Sequence, residues 1–249
     1  MTRLPFAALG CAVAGSIIFA APSMADYSYP PIWSGLYVGG NVGYGAGDAD
    51  FSVNPTGAWN ALPAQAASVR STTDGSLKPV GAIAGVQAGF NEQYGIWVVG
   101  IEADISGADQ SSSRTGGPVP GTGVTTFSQQ ADLSWLATLR GRLGVAAGPA
   151  LFYATAGAAV GEWDIYMRMA GGGDAAVFNR SSVRTGWTVG GGAELAISEH
   201  LSLKGEYLFA DFGSTTGESI FLPSAPAFLN EHTVDMTTQI GRAGINYRF

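Results

Sequence analysis

Cysteine is almost missing. The one residue of this type, Cys11, lies in an N-terminal apolar stretch, so the exported chain has no disulfide and no thiol to react. Charge is scarce too. Asp, Glu, Lys and Arg make up 12% of the chain, where soluble domains carry about 25%. Lysine occurs only at 78 and 204, and histidine only at 200 and 232. A formal charge of −7 with so few cations excludes a nucleic-acid partner, which needs a basic face. Cys and His at ligand spacing are lacking and the loop aspartates are scattered, so no metal and no cofactor is expected. No run beyond the N-terminus reaches the ~18 apolar residues of a membrane helix. A chain poor in charge and without a spanning helix suits a transmembrane β-barrel, in which only every second residue must be apolar.

What is present begins with a leader. Arg3 supplies the positive region, Leu4 to Ala20 the apolar core, and Ser23-Met24-Ala25 the small residues of a cleavage site. The expected cut after Ala25 leaves about 224 residues. Leu9-Gly10-Cys11 is similar to a lipidation site, but the apolar run before Cys11 is too short and continues past it. The organisation expected is a signal peptide over 1–25, a short periplasmic segment over 26–32 and a barrel domain over 33–249.

Eight segments alternate with a period of two, the signature of strands with two unlike faces. They cover 35–45, 79–91, 96–106, 132–145, 151–165, 183–197, 201–209 and 237–249. In the first, Leu36, Val38, Val42 and Tyr44 share one face and Tyr37 and Asn41 the other. In the fourth, Leu133, Trp135, Ala137, Leu139 and Leu143 oppose Ser134, Thr138, Arg140 and Arg142. The fifth is rich in small residues. Its expected phase puts Leu151, Tyr153 and Trp163 outward and Glu162 and Asp164 inward. Short connections at 93–95, 147–149 and 198–200 alternate with long ones at 46–78, 107–130, 166–182 and 210–236, rich in Gly, Ser, Thr, Pro and Asp. Short turns on one side, long loops on the other and an even strand count form the outer-membrane pattern.

Alternation alone also fits a soluble barrel with its apolar face inward. Three features favour lipid outside. Aromatics (Tyr44, Phe90, Trp97, Trp135, Tyr153, Trp163, Trp187 and Tyr247) fall near strand ends, as in the girdles of membrane barrels. The opposite face carries both signs of charge. The total charge is too low for a soluble exterior. The expected fold is therefore an all-β, eight-stranded antiparallel transmembrane barrel with four long surface loops.

The segments Trp33-Ser34-Gly35-Leu36-Tyr37-Val38-Gly39-Gly40 and Glu206-Tyr207-Leu208-Phe209-Ala210-Asp211-Phe212-Gly213, with the terminal Gly244-Ile245-Asn246-Tyr247-Arg248-Phe249, resemble the small Gram-negative outer-membrane surface proteins. These are the immunogenic or opacity-like, porin-like barrels. The resemblance implies localisation in the outer membrane, contact with lipid and lipopolysaccharide, and insertion by the barrel-assembly machinery. It places the family's terminal assembly signal on Ile245, Tyr247 and Phe249. It carries over no catalytic residue.

The candidate site is the inner face, where Glu102, Asp104, Arg140, Arg142, Glu162, Arg184, Glu194, Lys204, Glu206 and Arg242 fall. Eight strands enclose a space that side chains just fill. Paired charges there make a plug, and the alternative is a narrow ion path. Gly43-Tyr44-Gly45-Ala46-Gly47 is not followed by the lysine of a phosphate loop. His232 with Glu231 and Ser219 or Ser224 offers parts for a lipid-modifying enzyme, but no spacing requires one, and no enzyme is expected. Loop aromatics, among them Trp59, Phe127, Phe221 and Phe228, either bind a surface ligand or pack the loops over the mouth. The expected function is envelope integrity and surface contact, with a narrow porin-like channel as the alternative.

Overall fold

The computed structural model describes residues 32–249. The expected cleavage site after Ala25 and most of the 26–32 segment lie outside the described residues. The chain forms β1 (Gly35–Gly57), a 3-10 turn (Ala58–Ala61), α1 (Pro63–Thr73), β2 (Gly75–Leu77), β3 (Val80–Tyr94), β4 (Trp97–Gly116), β5 (Thr126–Ala147), β6 (Ala150–Gly171), β7 (Asp174–Ala196), β8 (Leu201–Phe221) and β9 (Ala225–Arg248). All pairings are antiparallel between sheet neighbours, and β1 also pairs with β9, from Tyr37↔Arg248 to Gly57↔Phe228. That last ladder closes the sheet into a barrel. β2 and β3 lie on the same flank of β1, with Ala49 opposite Leu77 and Ala46 opposite Val80. They are two pieces of one stave, interrupted at Lys78-Pro79 because proline has no N–H for the ladder. The nine strands thus make eight staves.

The connections at the end bearing the C-terminus are tight, as expected. Gly95-Ile96 joins β3 to β4 and Gly148-Pro149 joins β5 to β6. Gly95 sits at φ 62°, a left-handed conformation that an L side chain would strain.

The expected long loops are largely absent. Strands of 20 residues or more carry most of 46–57, 107–116, 166–182 and 210–236. What remains is 58–74, which holds the 3-10 turn and α1, the stretch 117–125, and two connections of two or three residues. The Gly, Ser, Thr and Asp content of these regions reads as loop, yet the alternation continues through them with its sense reversed. On β1, Leu36, Val38, Val42 and Tyr44 face out and are exposed, whereas higher up Ala49, Phe51 and Val53 are buried inside and Asp50, Ser52 and Asn54 face out. From Leu36 to Tyr44, at about 3.3 Å per residue and a tilt near 40°, the apolar band rises roughly 20 Å, most of the height of a membrane barrel's apolar belt. Above it the barrel stands in water and acquires an inner core built like that of a soluble protein.

The fifth segment has the opposite phase to the one expected: its outward positions in the band are Phe152, alanines and Val160, and Trp163 lies in the reversed part above. Leu151, Tyr153 and Trp163 point inward and are buried, and Glu162 and Asp164 point outward. Leu133, expected outside, is also inside. The β5–β6 register shifts between Leu133 and Trp135, a bulge that puts Leu133 and Leu136 on one face. Tyr153 and Trp163 therefore leave the girdles. Tyr94, Trp97, Phe152, Tyr247 and Phe249 ring the turn end, and Tyr44, Trp187 and Tyr207 lie at the other edge of the band.

Between β7 and β8 the ladder runs only from Ala196↔Ser202 to Trp187↔Asp211. Above that the seam is held by side chains, up to a single backbone bridge between Ala175 and Leu222 at the top. Arg180 donates to the Thr216 carbonyl at 3.0 Å, and Arg184 donates to that of Ser214. Phe178 reaches over Gly217, where a Cβ would collide with its ring, and stacks on His232 at 5.1 Å.

Replacing Phe51 by Asp should bury an unpaired carboxylate in the upper core and cost about 4 kcal/mol or more, while Ser52→Lys on the outer face should stay within about 0.5 kcal/mol. The temperature at which the compact band on a gel gives way to the heat-denatured one reads both. Equal effects of the two changes would mean that the upper barrel has no inner core.

Candidate functional site

The band that crosses the membrane is apolar outside and filled with charge inside. Small residues face the axis beside long ones, so arginines from one wall reach carboxylates on another. Arg140 on β5 is fully buried and meets Glu102, Asp104 and Glu206, the last two at 3.0 Å each. Arg242 on β9 binds Glu206 at 2.6 Å and Asp104 at 3.0 Å. Lys204 on β8 donates to both oxygens of Glu102, at 2.7 and 2.8 Å. Arg142 pairs with Glu194 at 2.5 Å, and its guanidinium lies 3.7 Å above the Tyr153 ring. Tyr37 donates to Glu102 at 2.7 Å and Tyr153 donates to Glu206 at 3.1 Å.

Every ion pair among the described residues joins members of this set. Four carboxylates face four cations, so the layer is neutral. Bidentate arginines and phenol hydroxyls satisfy oxygens that would otherwise be buried bare. On the turn side an amide chain continues the network. Gln87 donates to Asn246 at 2.8 Å, and Asn246 donates to Glu194 at 2.8 Å.

Two of the ten expected lumen residues lie elsewhere. Glu162 is on the outer surface, accepting from the Trp135 indole at 2.9 Å. Arg184 belongs to the β7–β8 seam. Tyr37, Tyr153 and Thr138 join the network without having been singled out. Tyr37 and Thr138 were legible as inner-face positions, whereas Tyr153 was hidden by the reversed phase of its strand.

Apolar layers close both ends of the charged one. Toward the turns, Trp33, Val98, Ala146 and Leu151 form a cluster, with Arg248 5.1 Å from the Trp33 ring. On the other side the upper core holds Trp59, Trp163, Phe212, Phe221, Met167, Met169 and Met236. Trp163 packs edge-on against Phe212 at 5.8 Å.

His232 lies in this upper core, above the apolar band. Its Nε2 is 2.7 Å from Ser219 Oγ, and its Nδ1 has no partner. Glu231 points away and accepts from Asn54 at 2.8 Å. Ser224 instead uses its backbone N–H, donating to Asp174. Serine and histidine therefore meet, but among the described residues no carboxylate orients the ring, as a hydrolytic triad requires. Burial lowers the His232 pKa to about 4.

The outer membrane protein beta-barrel domain model matches residues 11–249. The chain belongs to this outer-membrane β-barrel family. Its relatives include the 31 kDa outer-membrane immunogenic protein of Brucella melitensis, 32% identical over 96% of this chain and 93% of the relative. The 25 kDa outer-membrane immunogenic protein of the same organism is 27% identical over 99% and 93%. Among solved structures, OprG of Pseudomonas aeruginosa superposes with a TM-score of 0.49 at 14% identity, covering 87% of this chain and 96% of that one. The family places this barrel in the outer membrane.

Two outcomes follow. Arg142→Leu should strand Glu194 and lower stability by about 3 kcal/mol, and Arg142→Leu with Glu194→Leu should recover over half of that. Urea unfolding from lipid bilayers reads the cycle, and a double variant no better than the single would break the pairing argument. Second, His232 is held neutral, so the stability it contributes is present above pH 6.5 and is lost as pH falls toward 4. The loss should reach at most about 3 kcal/mol. Compared over that window, His232→Gln should flatten the slope; an unchanged slope would assign it to other groups.

Proposed function

We propose that this protein is a plugged barrel that serves envelope integrity and surface contact rather than passage. The observation that carries this reading is the stacking of three closed layers along one axis. The Trp33 cluster, the neutral charge layer and the aromatic upper core follow one another with buried side chains throughout. An ion entering from the outer side first meets apolar groups that cannot replace its hydration shell, and one entering from the turn side meets Trp33 packed among buried amides and Arg248. The family relationship supports the surface part of the reading, since the relatives are named for being immunogenic.

Partners follow from position. The exposed belt meets lipid, and the outer strands stand among the lipopolysaccharide head groups. The last strand presents Ile245, Tyr247 and Phe249 on its outward face, where the barrel-assembly machinery would read them.

Planar-bilayer recording of the purified protein tests the plug. The wild type should give no steady conductance. Arg140→Ala with Arg142→Ala should also stay silent, because the apolar layers remain on both sides of the thinned charge layer. Steady, ion-selective steps in the wild type would replace this reading with the narrow channel.

A further inference from the structure

At the outer end of the barrel, where the 3-10 turn, the β4–β5 and β6–β7 connections and the tip of β8–β9 meet, there is a cavity of about 260 Å³. Its wall is aromatic and aliphatic: Trp59, Phe221, Phe228, Leu62 and Val124. Trp59 stands edge-on to Phe228 at 4.7 Å and to Phe221 at 6.3 Å. One charged residue lines the cavity, Asp174, and no Lys or Arg does. Asp174 accepts from the Ser224 backbone N–H through Oδ1 at 2.8 Å. No cation lies within 4 Å of it among the described residues.

We infer that this cavity is a binding site for a small organic cation with an apolar body, such as an aryl- or alkylammonium. Three observations converge on that class. The wall supplies three aromatic rings, Trp59, Phe221 and Phe228, of the kind whose faces hold quaternary ammonium groups. The one carboxylate has an oxygen free of any protein cation. The surrounding field has the right sign. The lumen charges cancel four against four, so the formal charge of −7 lies outside the lumen. Much of it stands on the outer strands, at Asp48, Asp50, Glu218, Glu231 and Asp235. Such a field gathers cations and repels anions. A neutral apolar molecule would leave Asp174 unpaired beside it, and an anion would meet that carboxylate without a counter-charge. The inference rests on the surface-contact half of the proposed function and is independent of whether the lumen conducts.

The test is a titration of full-length protein in lipid nanodiscs with phenyltrimethylammonium. The neutral tert-butylbenzene and the anionic benzenesulfonate serve as shape controls. The readout is the Trp59 indole resonance, assigned with Trp59→Phe. The cation should shift that resonance saturably and bind about tenfold more tightly than tert-butylbenzene, and benzenesulfonate should not bind. Asp174→Asn keeps an oxygen for the Ser224 N–H, and should weaken the cation by about fivefold without touching the neutral probe. Ala225→Trp, filling the cavity, should abolish the shift in protein that still migrates as a compact barrel. No saturable shift, equal affinity for neutral and cation, or an Asp174→Asn variant that binds as well as wild type would each overturn the assignment. Conductance reads the lumen and this titration reads the mouth, so the two proposals fail separately.

Discussion

The ladder between β1 and β9 is the constraint on which the rest depends. In hydrocarbon no water can meet a bare N–H or C=O, so a sheet that crosses a membrane must have no free edge. The β1–β9 pairing runs from Tyr37 to Gly57, past the full height of the apolar band. Once the ring is closed its circumference is set, and so is the interior. Eight staves leave a bore that side chains fill. The facing of Arg140 and Arg242 toward Asp104 and Glu206 follows from that narrowness, since walls farther apart would leave each charge to water.

Most ladders run on past the apolar band, but one seam opens above it. The β7–β8 ladder stops at Trp187↔Asp211, above which water can satisfy backbone groups. There Arg180 and Arg184 reach across to carbonyls, and Phe178 covers Gly217. The same boundary explains the reversal of polarity along β1, β5, β6 and β9. One strand passes through two solvents, and each half turns its apolar face away from water or toward lipid accordingly. The result is a barrel with a polar interior at membrane depth and an apolar interior above it.

The charged layer is better understood as a filled space than as a source of stability. Burying ions is costly, and good geometry at most offsets that cost. What the arrangement secures is specificity. Glu102, touched by Arg140, Lys204 and Tyr37 at once, joins β1, β4, β5 and β8 in one register. A one-residue slip of any of these strands would turn its charges into lipid.

Much of this was legible in the residues. The period of two, the scarcity of charge, the aromatics near strand ends and the short turns at Gly95 and Gly148 point to a β-barrel with its apolar face outward. They also place eight of the lumen charges, because a strand face with Glu102 and Asp104 on it cannot face hydrocarbon. A pleat shows that two faces exist, but not which one a given height of the barrel turns inward. That sign is decided by the surroundings, so Tyr153 and Trp163 were read outward and Glu162 inward. The bulge at Leu133 depends on a register shift with β6 that leaves no mark in β5 alone. Which arginine meets which carboxylate, and that Trp59, Phe228 and Asp174 share one cavity, rest on contacts between residues far apart in sequence. Only the closed barrel brings these together.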